Sequence, residues 1–164
     1  MTLFSSMPHL SIYKLIATFF GLGYAPIAPG TFGALGGFII SFFMMKAGMN
    51  YYSFHGLHVF IIILTYVVGV LACDKLKAEW GDDPSRVVID ETMGFWISIL
   101  FLPLHIYVFM LGFVLFRLFD ILKPLGIRKI DQLHTSHSVM IDDAVAGVYT
   151  NIILQIVFCF FWKL

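Results

Sequence analysis

Five carboxylates stand at the ends of apolar segments in this chain: Asp90 and Glu91, Asp120, and Asp142 and Asp143. Neighbouring residues on a helix point about 100° apart, so one carboxylate of each adjacent pair can face a common centre while the other supports it. Carboxylates against apolar sequence cost free energy unless they are paired or bind a metal. The pattern indicates a polar functional site, although helix capping explains any single pair equally well.

Two cations lie close to the middle acid of this set. Arg117, Asp120 and Lys123 are spaced three residues apart, which places cation, anion and cation on one face of a helix. Carboxylates beside an arginine and a lysine suit a divalent cation together with a phosphate group, and Mg²⁺ is usually held in this way. The alternative is a structural ion pair between Arg117 and Asp120.

A Pro-Gly-Thr motif offers a further polar feature. Thr31 is predicted to cap a helix over residues 32–45. Backbone N–H groups at a helix start can bind an anion, and a simple capped turn explains the motif as well. Gly33 and Gly37 form a face of small residues on this helix, which we expect to pack inside the chain and not against a second copy.

The composition indicates where these residues must act. The chain has 164 residues, of which 60% are hydrophobic and only 12% charged, and this excludes an ordinary soluble domain and disorder. Ten Lys and Arg balance ten Asp and Glu, so no net charge attracts nucleic acid. Nine charged residues fall in 74–91 and eight in 117–143. We predict an integral membrane protein forming one domain over 1–164, and nothing in the sequence indicates an oligomeric state.

The apolar segments differ in length. Residues 15–28 are too short to cross a bilayer and predict a partly inserted helix that ends near 21–23. Residues 46–58 are typical of an interfacial loop with aromatic side chains. Residues 57–73 contain no charge and are the clearest membrane span. The first ten residues lack the positive cluster of a signal peptide, so we expect them to be retained.

The uncharged stretch 92–116 allows two topologies. One long span would place the two charged regions on opposite faces of the membrane. A turn at Pro103 and His105 would instead give a helical hairpin of 90–102 and 106–122, which returns the chain to the same face. We favour the hairpin because the proposed chemistry needs both regions together, and we expect it to end near Lys123, since proline follows.

The C-terminal part completes a compact, membrane-embedded bundle of several helices, an all-α fold. Residues 126–139 are predicted to be a loop, and Asp142 or Asp143 to open a last helix that reaches about residue 161. Seven of the ten Lys and Arg lie in the two charged regions, so the site is predicted to face the cytoplasm, with Lys46 and Lys163 at the other face.

The cysteines and a pair of histidines are not expected to take part in this chemistry. Cys73 and Cys159 stand alone in apolar sequence and are expected to be packed thiols without a disulfide. His134 and His137 have a spacing usable by a metal but lack a third soft ligand.

Four blocks of the sequence resemble the phosphatidylglycerophosphatase A family. They are APGTFG at 28–33, VIDE-x-x-GFW at 88–96, GF-x-x-FR-x-x-D-x-x-KP at 112–124 and MIDD-x-x-AG at 140–147, in this order. The resemblance implies an all-helical, bacterial inner-membrane enzyme that requires Mg²⁺. Its expected reaction converts phosphatidylglycerophosphate to phosphatidylglycerol and inorganic phosphate.

With this resemblance, each polar residue acquires an expected role. We expect Arg117 and Lys123, with help from Thr31, to bind the phosphate, and Asp143 to act as general base or to support a ligand. The expected Mg²⁺ ligands are Asp90, Glu91, Asp120 and Asp142. A small ion or solute carrier is the alternative, and acids inside the apolar spans would favour it, whereas these acids lie at segment ends.

Overall fold

The computed structural model describes residues 12–81 and 84–161, and within these ranges it has seven α-helices and no β-strand. The predictions for residues 1–10 and for Lys163 lie outside these ranges. The all-α fold is confirmed. The helices are α1 (Ile12–Ala17), α2 (Pro29–Lys46), α3 (Tyr51–Trp80), α4 (Ile89–Ser98), α5 (Ile106–Leu122), α6 (Ile127–Asp131) and α7 (Ser136–Phe161), with a 3₁₀ helix at Leu22–Tyr24.

The short helix α4 is the centre of the bundle. It packs against α2, α3, α5 and α7, and eight of its ten residues are buried. Small residues permit this close packing: a side chain at Gly94 would collide with the Phe116 ring, and one at Gly147 would collide with the Gly94 carbonyl. Because Asp90 and Glu91 form the first turn of α4, burying this helix carries both acids into the protein.

The predicted hairpin is confirmed as α4 and α5, although α4 ends at Ser98, before residue 102. Side chains from two neighbouring helices satisfy the turn between them. His55 of α3 bonds the Leu102 carbonyl at 3.0 Å and accepts the Phe101 N–H at 3.1 Å. Asn151 of α7 donates to the Leu100 carbonyl at 2.7 Å. The hairpin turn is therefore held by neutral polar groups.

The first helix is shorter than predicted. Helix α1 ends at Ala17 and not near 21–23, because the chain then adopts left-handed backbone at Phe19, Phe20 and Gly21, which a helix cannot continue. The next helix, α2, begins at Pro29, with Ala28 as its N-cap.

Thr31 is consequently not the cap that the sequence predicted. It lies in the first turn of α2, and its N–H donates to the Ala28 carbonyl at 2.9 Å. Proline is favoured at the first helical position because its φ is preset and its missing N–H is not needed there. The glycine face of α2 does pack inside the chain, since side chains at Gly33 and Gly37 would meet Val88 and Thr92.

The predicted interfacial loop at 46–58 is wrong. Helix α3 begins at Tyr51, and the Asn50 side chain caps it by accepting the Ser53 N–H at 3.0 Å. His58, expected in the loop, is buried and hydrogen-bonded to Ser41 at 2.9 Å. The predicted span 57–73 lies within this helix.

The predicted loop at 126–139 is also wrong, because it contains α6 and the start of α7. Thr135 and Ser138 exchange hydrogen bonds between side chain and backbone, at 2.8 and 3.0 Å, in the manner of a capping box. Helix α7 therefore begins at Ser136, and Asp142 and Asp143 lie in its second turn and do not open it.

Two of the described helices, α3 and residues Ser136–Cys159 of α7, are long and apolar enough to cross a membrane, by length and composition. Exposed apolar side chains cover much of the bundle, among them Phe43, Phe60 and Val114. Cys73 is buried as expected, whereas Cys159 is exposed, and the two do not form a disulfide. Cys159 is exposed because it lies near the end of α7, on a surface that no described helix covers.

Candidate active site

Four elements meet at the charged end of the bundle: the start of α4, the end of α5, α6, and the second turn of α7. They enclose a cavity of about 90 Å³. Both charged regions of the sequence contribute to it, as the hairpin prediction required. The residues that line it are Pro84, Ser85, Val87, Asp90, Glu91, Asp120, Lys123, Asp131, Val139, Asp142 and Asp143.

Three carboxylates form the closest group in this cavity. Asp90, Glu91 and Asp143 each present one oxygen, and these oxygens lie within 4.8 Å of one another. Asp90 and Asp143 are buried. The Oε2 atom of Glu91 is also buried, with no hydrogen-bond partner among the described residues.

Burial raises the pKa of both the Asp90 and Glu91 carboxyls, and the negative charge of Asp90 raises that of Glu91 further. Three carboxylates at this separation repel one another unless a cation or a proton intervenes. Mg²⁺ is a hard ion that takes oxygen ligands. An all-oxygen donor set that includes a buried oxygen without a partner fits such an ion.

Lys123 lies beside this group and is held by two acids. Its Nζ contacts Asp131 and lies 2.6 Å from Asp142 Oδ2. Burial alone would lower the pKa of Lys123, but the hydrogen bonds and charges of the two acids outweigh it and raise that pKa. The lysine therefore stays charged. The second oxygen of Asp142, Oδ1, is buried and has no hydrogen-bond partner among the described residues.

Arg117 is placed behind the cavity wall and does not line it. Its Nη1 contacts Asp120 and lies 3.9 Å from Glu91 Oε1. The contact with Asp120 lacks hydrogen-bond geometry, since neither Nη1 nor Nε has a hydrogen-bond partner among the described residues. The i,i+3 pair that the sequence offered as an alternative is thus present in the structure. A phosphate role for Arg117 requires that its guanidinium also reach a ligand.

The start of α2 approaches this cluster through Gly30, not through Thr31. A side chain at Gly30 would collide with the Glu91 carboxylate and lie 3.2 Å from Arg117 Nη1. Thr31 is half-buried and is not part of the cavity lining. The structure therefore brings together Asp90, Glu91, Asp120, Lys123, Asp142 and Asp143, with Arg117 adjacent and Thr31 outside.

A known protein family matches nearly the whole chain. The sequence model of phosphatidylglycerophosphatase A matches residues 15–158. The chain belongs to this family. The match covers every element that builds the cavity. The protein is therefore an enzyme of the phosphatidylglycerophosphatase type, and the carrier alternative loses its basis.

Three individual relatives are similar in sequence to this chain over most of their length. The phosphatidylglycerophosphatase A of Escherichia coli is 34% identical over 148 residues, 88% of this chain and 83% of that protein. The Haemophilus influenzae protein of the same name is 36% identical over 150 residues, 88% of each chain. A Bacteroides thetaiotaomicron protein named "Putative phosphatidylinositol-3-phosphatase" is 42% identical over 149 residues, 87% of this chain and 91% of that one. No solved structure matches significantly.

Asp131 is the site residue that sequence reasoning missed in this family member. The sequence analysis predicts a loop here, although Ile127 and Asp131 are four residues apart and Ile127 directly follows Gly126. A glycine followed by an apolar residue and an acid at helical spacing was the available signal. In the structure Ile127 is buried and Asp131 lies on the cavity wall.

Proposed function

We propose that this protein hydrolyses the terminal phosphate of phosphatidylglycerophosphate, yielding phosphatidylglycerol and inorganic phosphate in a Mg²⁺-dependent reaction. The observation that carries the proposal is the cavity itself, in which three clustered carboxylates lie beside a charged lysine. A phosphate monoester binds where a divalent cation and a fixed positive charge are found together. Family membership supports the same substrate.

Asp90, Glu91 and Asp143 are the proposed ligands of Mg²⁺. This set differs from the one expected from sequence, since Asp120 and Asp142 are engaged with Arg117 and Lys123. A bound Mg²⁺ would supply Lewis-acid stabilisation of the phosphate oxygens. Asp120 then serves to orient Arg117 beside Glu91.

The remaining polar groups act on substrate and water. Lys123 donates to a non-bridging phosphate oxygen and offsets negative charge as the bond from phosphorus to the glycerol oxygen breaks. Asp142 Oδ1 has no hydrogen-bond partner among the described residues, so it is the oxygen proposed to accept a proton from the attacking water and to return it to the departing glycerol oxygen. Arg117 is proposed to reach the phosphate through its donors that lack hydrogen bonds.

The placement of this site suits a lipid head group. Helices α3 and α7 are proposed to span a bacterial inner membrane as parts of one domain over 1–164. Tyr51, at the hairpin-turn end, and Gly69, which packs against Ile89 and Met140 near the site, are about 27 Å apart along α3 at 1.5 Å per residue. That distance is close to a hydrocarbon core of about 30 Å. The basic residues of 117–129 support a site that faces the cytoplasm, because positive residues accumulate on that side of the membrane.

Phosphatidylinositol 3-phosphate is a second candidate substrate, because the Bacteroides relative is named for it. It carries the same kind of phosphate monoester on a different head group. The deciding experiment measures phosphate release by detergent-purified protein from both lipids, with and without Mg²⁺. We expect kcat/KM for phosphatidylglycerophosphate to be at least about 10-fold higher and to require Mg²⁺. A preference for the inositol lipid, or full activity in EDTA, would overturn the proposal.

A further inference from the structure

Asp131 lies on the wall of the cavity and has no part in the reaction proposed above. Helix α6 begins directly after Gly126, whose φ is 92°. Its first residue, Ile127, is 1% exposed and packs into the main core. Asp131 follows four residues later, on the same helix face. Burial of Ile127 therefore turns Asp131 toward the cavity.

The partner of Asp131 has an unusual backbone. Lys123 ends α5 in the left-handed conformation, with φ 45° and its N–H bonded to the Phe119 carbonyl at 2.8 Å. Glycine is the residue that adopts this conformation without steric cost. This lysine therefore adopts a backbone conformation that is strained for a residue with a side chain. That side chain ends between Asp131 and Asp142.

The two acids that hold Lys123 differ in their other contacts. Asp142 has a second, buried oxygen without a hydrogen-bond partner among the described residues, which is the oxygen proposed above to accept a proton from water. Asp131 sits on α6 and is not one of the three clustered acids. We propose that Asp131 is a positioning residue that holds the Lys123 ammonium over the cavity, where its third N–H donor can bind a phosphate oxygen. The identity of that phosphate rests on the proposed function.

The physical reason is the flexibility of lysine. A long side chain loses rotamer freedom when it grips a ligand, and an anchor that fixes it beforehand lowers this cost. The direction in which phosphate affinity changes when Asp131 is replaced distinguishes this positioning role from a purely electrostatic one. Asp131 is an anion near a phosphate site, so removing its charge would strengthen phosphate binding if it acted only through the electric field. If Asp131 positions Lys123, removing it should instead weaken phosphate binding.

The test compares Asp131→Asn with Asp74→Asn. Asp74 also accepts a hydrogen bond, from Ser136 at the start of α7, but does not line the cavity. Two readouts are needed: kcat/KM for release of lipid phosphate, and the Kd of inorganic phosphate, measured by calorimetry with Mg²⁺ present. We expect Asp131→Asn to lower kcat/KM about 10-fold, mainly by raising KM, and to raise the Kd of inorganic phosphate about 10-fold. Asp74→Asn should change neither quantity.

Further variants separate positioning from folding. Asp131→Glu keeps the charge and is expected to retain more activity than Asp131→Asn, while Asp131→Ser should reproduce the loss with a smaller side chain. In a Lys123→Ala background, Asp131→Asn should cause no additional loss, because the residue acts only through that lysine. Melting temperatures verify that each variant is folded.

Two results would overturn the inference. One is tighter or unchanged phosphate binding in both Asp131→Asn and Asp131→Ser. The other is an equal further loss when Asp131→Asn is added to Lys123→Ala. Wild-type protein that binds inorganic phosphate but does not hydrolyse phosphatidylglycerophosphate would instead contradict the proposed function, and the calorimetric comparison would still test Asp131.

Discussion

The two ends of the α4 and α5 hairpin are both polar, but they are polar in different ways. At the turn, neutral groups pair the backbone: His55 uses both ring nitrogens, and Asn151 and Tyr51 donate to turn carbonyls. At the other end, charged groups crowd together, and Glu91 and Asp142 each keep a buried oxygen without a hydrogen-bond partner among the described residues.

This difference separates structure from function within one hairpin. Buried polar groups that are fully paired fix a backbone in place, whereas buried charges left unsatisfied cost free energy that a purely structural role does not explain. The turn is thus expected to control stability and the charged cavity to control catalysis. Variants at each end should separate these two effects.

The largest effect is expected at the charged end, from Asp90→Asn. The amide keeps the size of the side chain and can still accept the Glu91 N–H, which Asp90 Oδ1 accepts at 3.1 Å. It removes one of the proposed anionic ligands of Mg²⁺, so kcat/KM should fall about 100-fold or more. Stability without Mg²⁺ should not fall, because a buried like-charge repulsion is relieved. Phosphate release and thermal melting test this, and activity within threefold of wild type would contradict it.

A variant of the hairpin turn should lose stability and keep its activity. His55→Ala leaves the Leu102 carbonyl and the Phe101 N–H without the partner that each has now. We expect a loss of about 2 kcal/mol or more in the free energy of unfolding, with phosphate release per folded molecule unchanged.

Tyr52→Ala is the matched control for this turn variant, because Tyr52 lies on the same helix turn and is 85% exposed. It should be close to neutral. A fall in kcat per folded molecule in His55→Ala, with unfolding unaffected, would show that the two ends do not divide stability from catalysis.

The smallest of these effects is expected for Arg117→Lys. The charge remains, but the planar fork that can contact Asp120 and a phosphate oxygen together is lost. We expect kcat/KM to fall about 10-fold, with little change in the Mg²⁺ concentration needed for half-maximal activity. If the variant is silent, or if extra Mg²⁺ repairs its only defect, the structural pair with Asp120 is the whole role of Arg117.

Local patterns in the sequence predicted the scaffold of this site well. Pro103 marked the turn that returns Asp120 to the level of Asp90, and the pairs of acids marked the cavity. The start of α7 was missed because its signal is a reciprocal exchange of hydrogen bonds between Thr135 and Ser138, which hydropathy does not reveal.

The grouping of Asp143 with Asp90 and Glu91 could not be predicted from spacing. Neighbouring acids on a helix differ by about 100° in direction, so the choice between Asp142 and Asp143 depends on how α7 is rotated. That rotation is set by non-local packing, and the contact of Lys123 with Asp142 accompanies it. Sequence spacing predicts neither the rotation of α7 nor the contact between Lys123 and Asp142.

We propose that Asp90, Glu91 and Asp143 hold the divalent cation, whereas Asp142 is held by Lys123. Calorimetric titration of Mg²⁺ into detergent-purified wild type, Asp143→Asn, Asp142→Asn and Asp74→Asn tests it without any substrate. We expect the affinity for Mg²⁺ to fall about 10-fold or more in Asp143→Asn, less than about threefold in Asp142→Asn, and not at all in Asp74→Asn. Unchanged Mg²⁺ affinity in Asp143→Asn, with the large loss in Asp142→Asn, would contradict it.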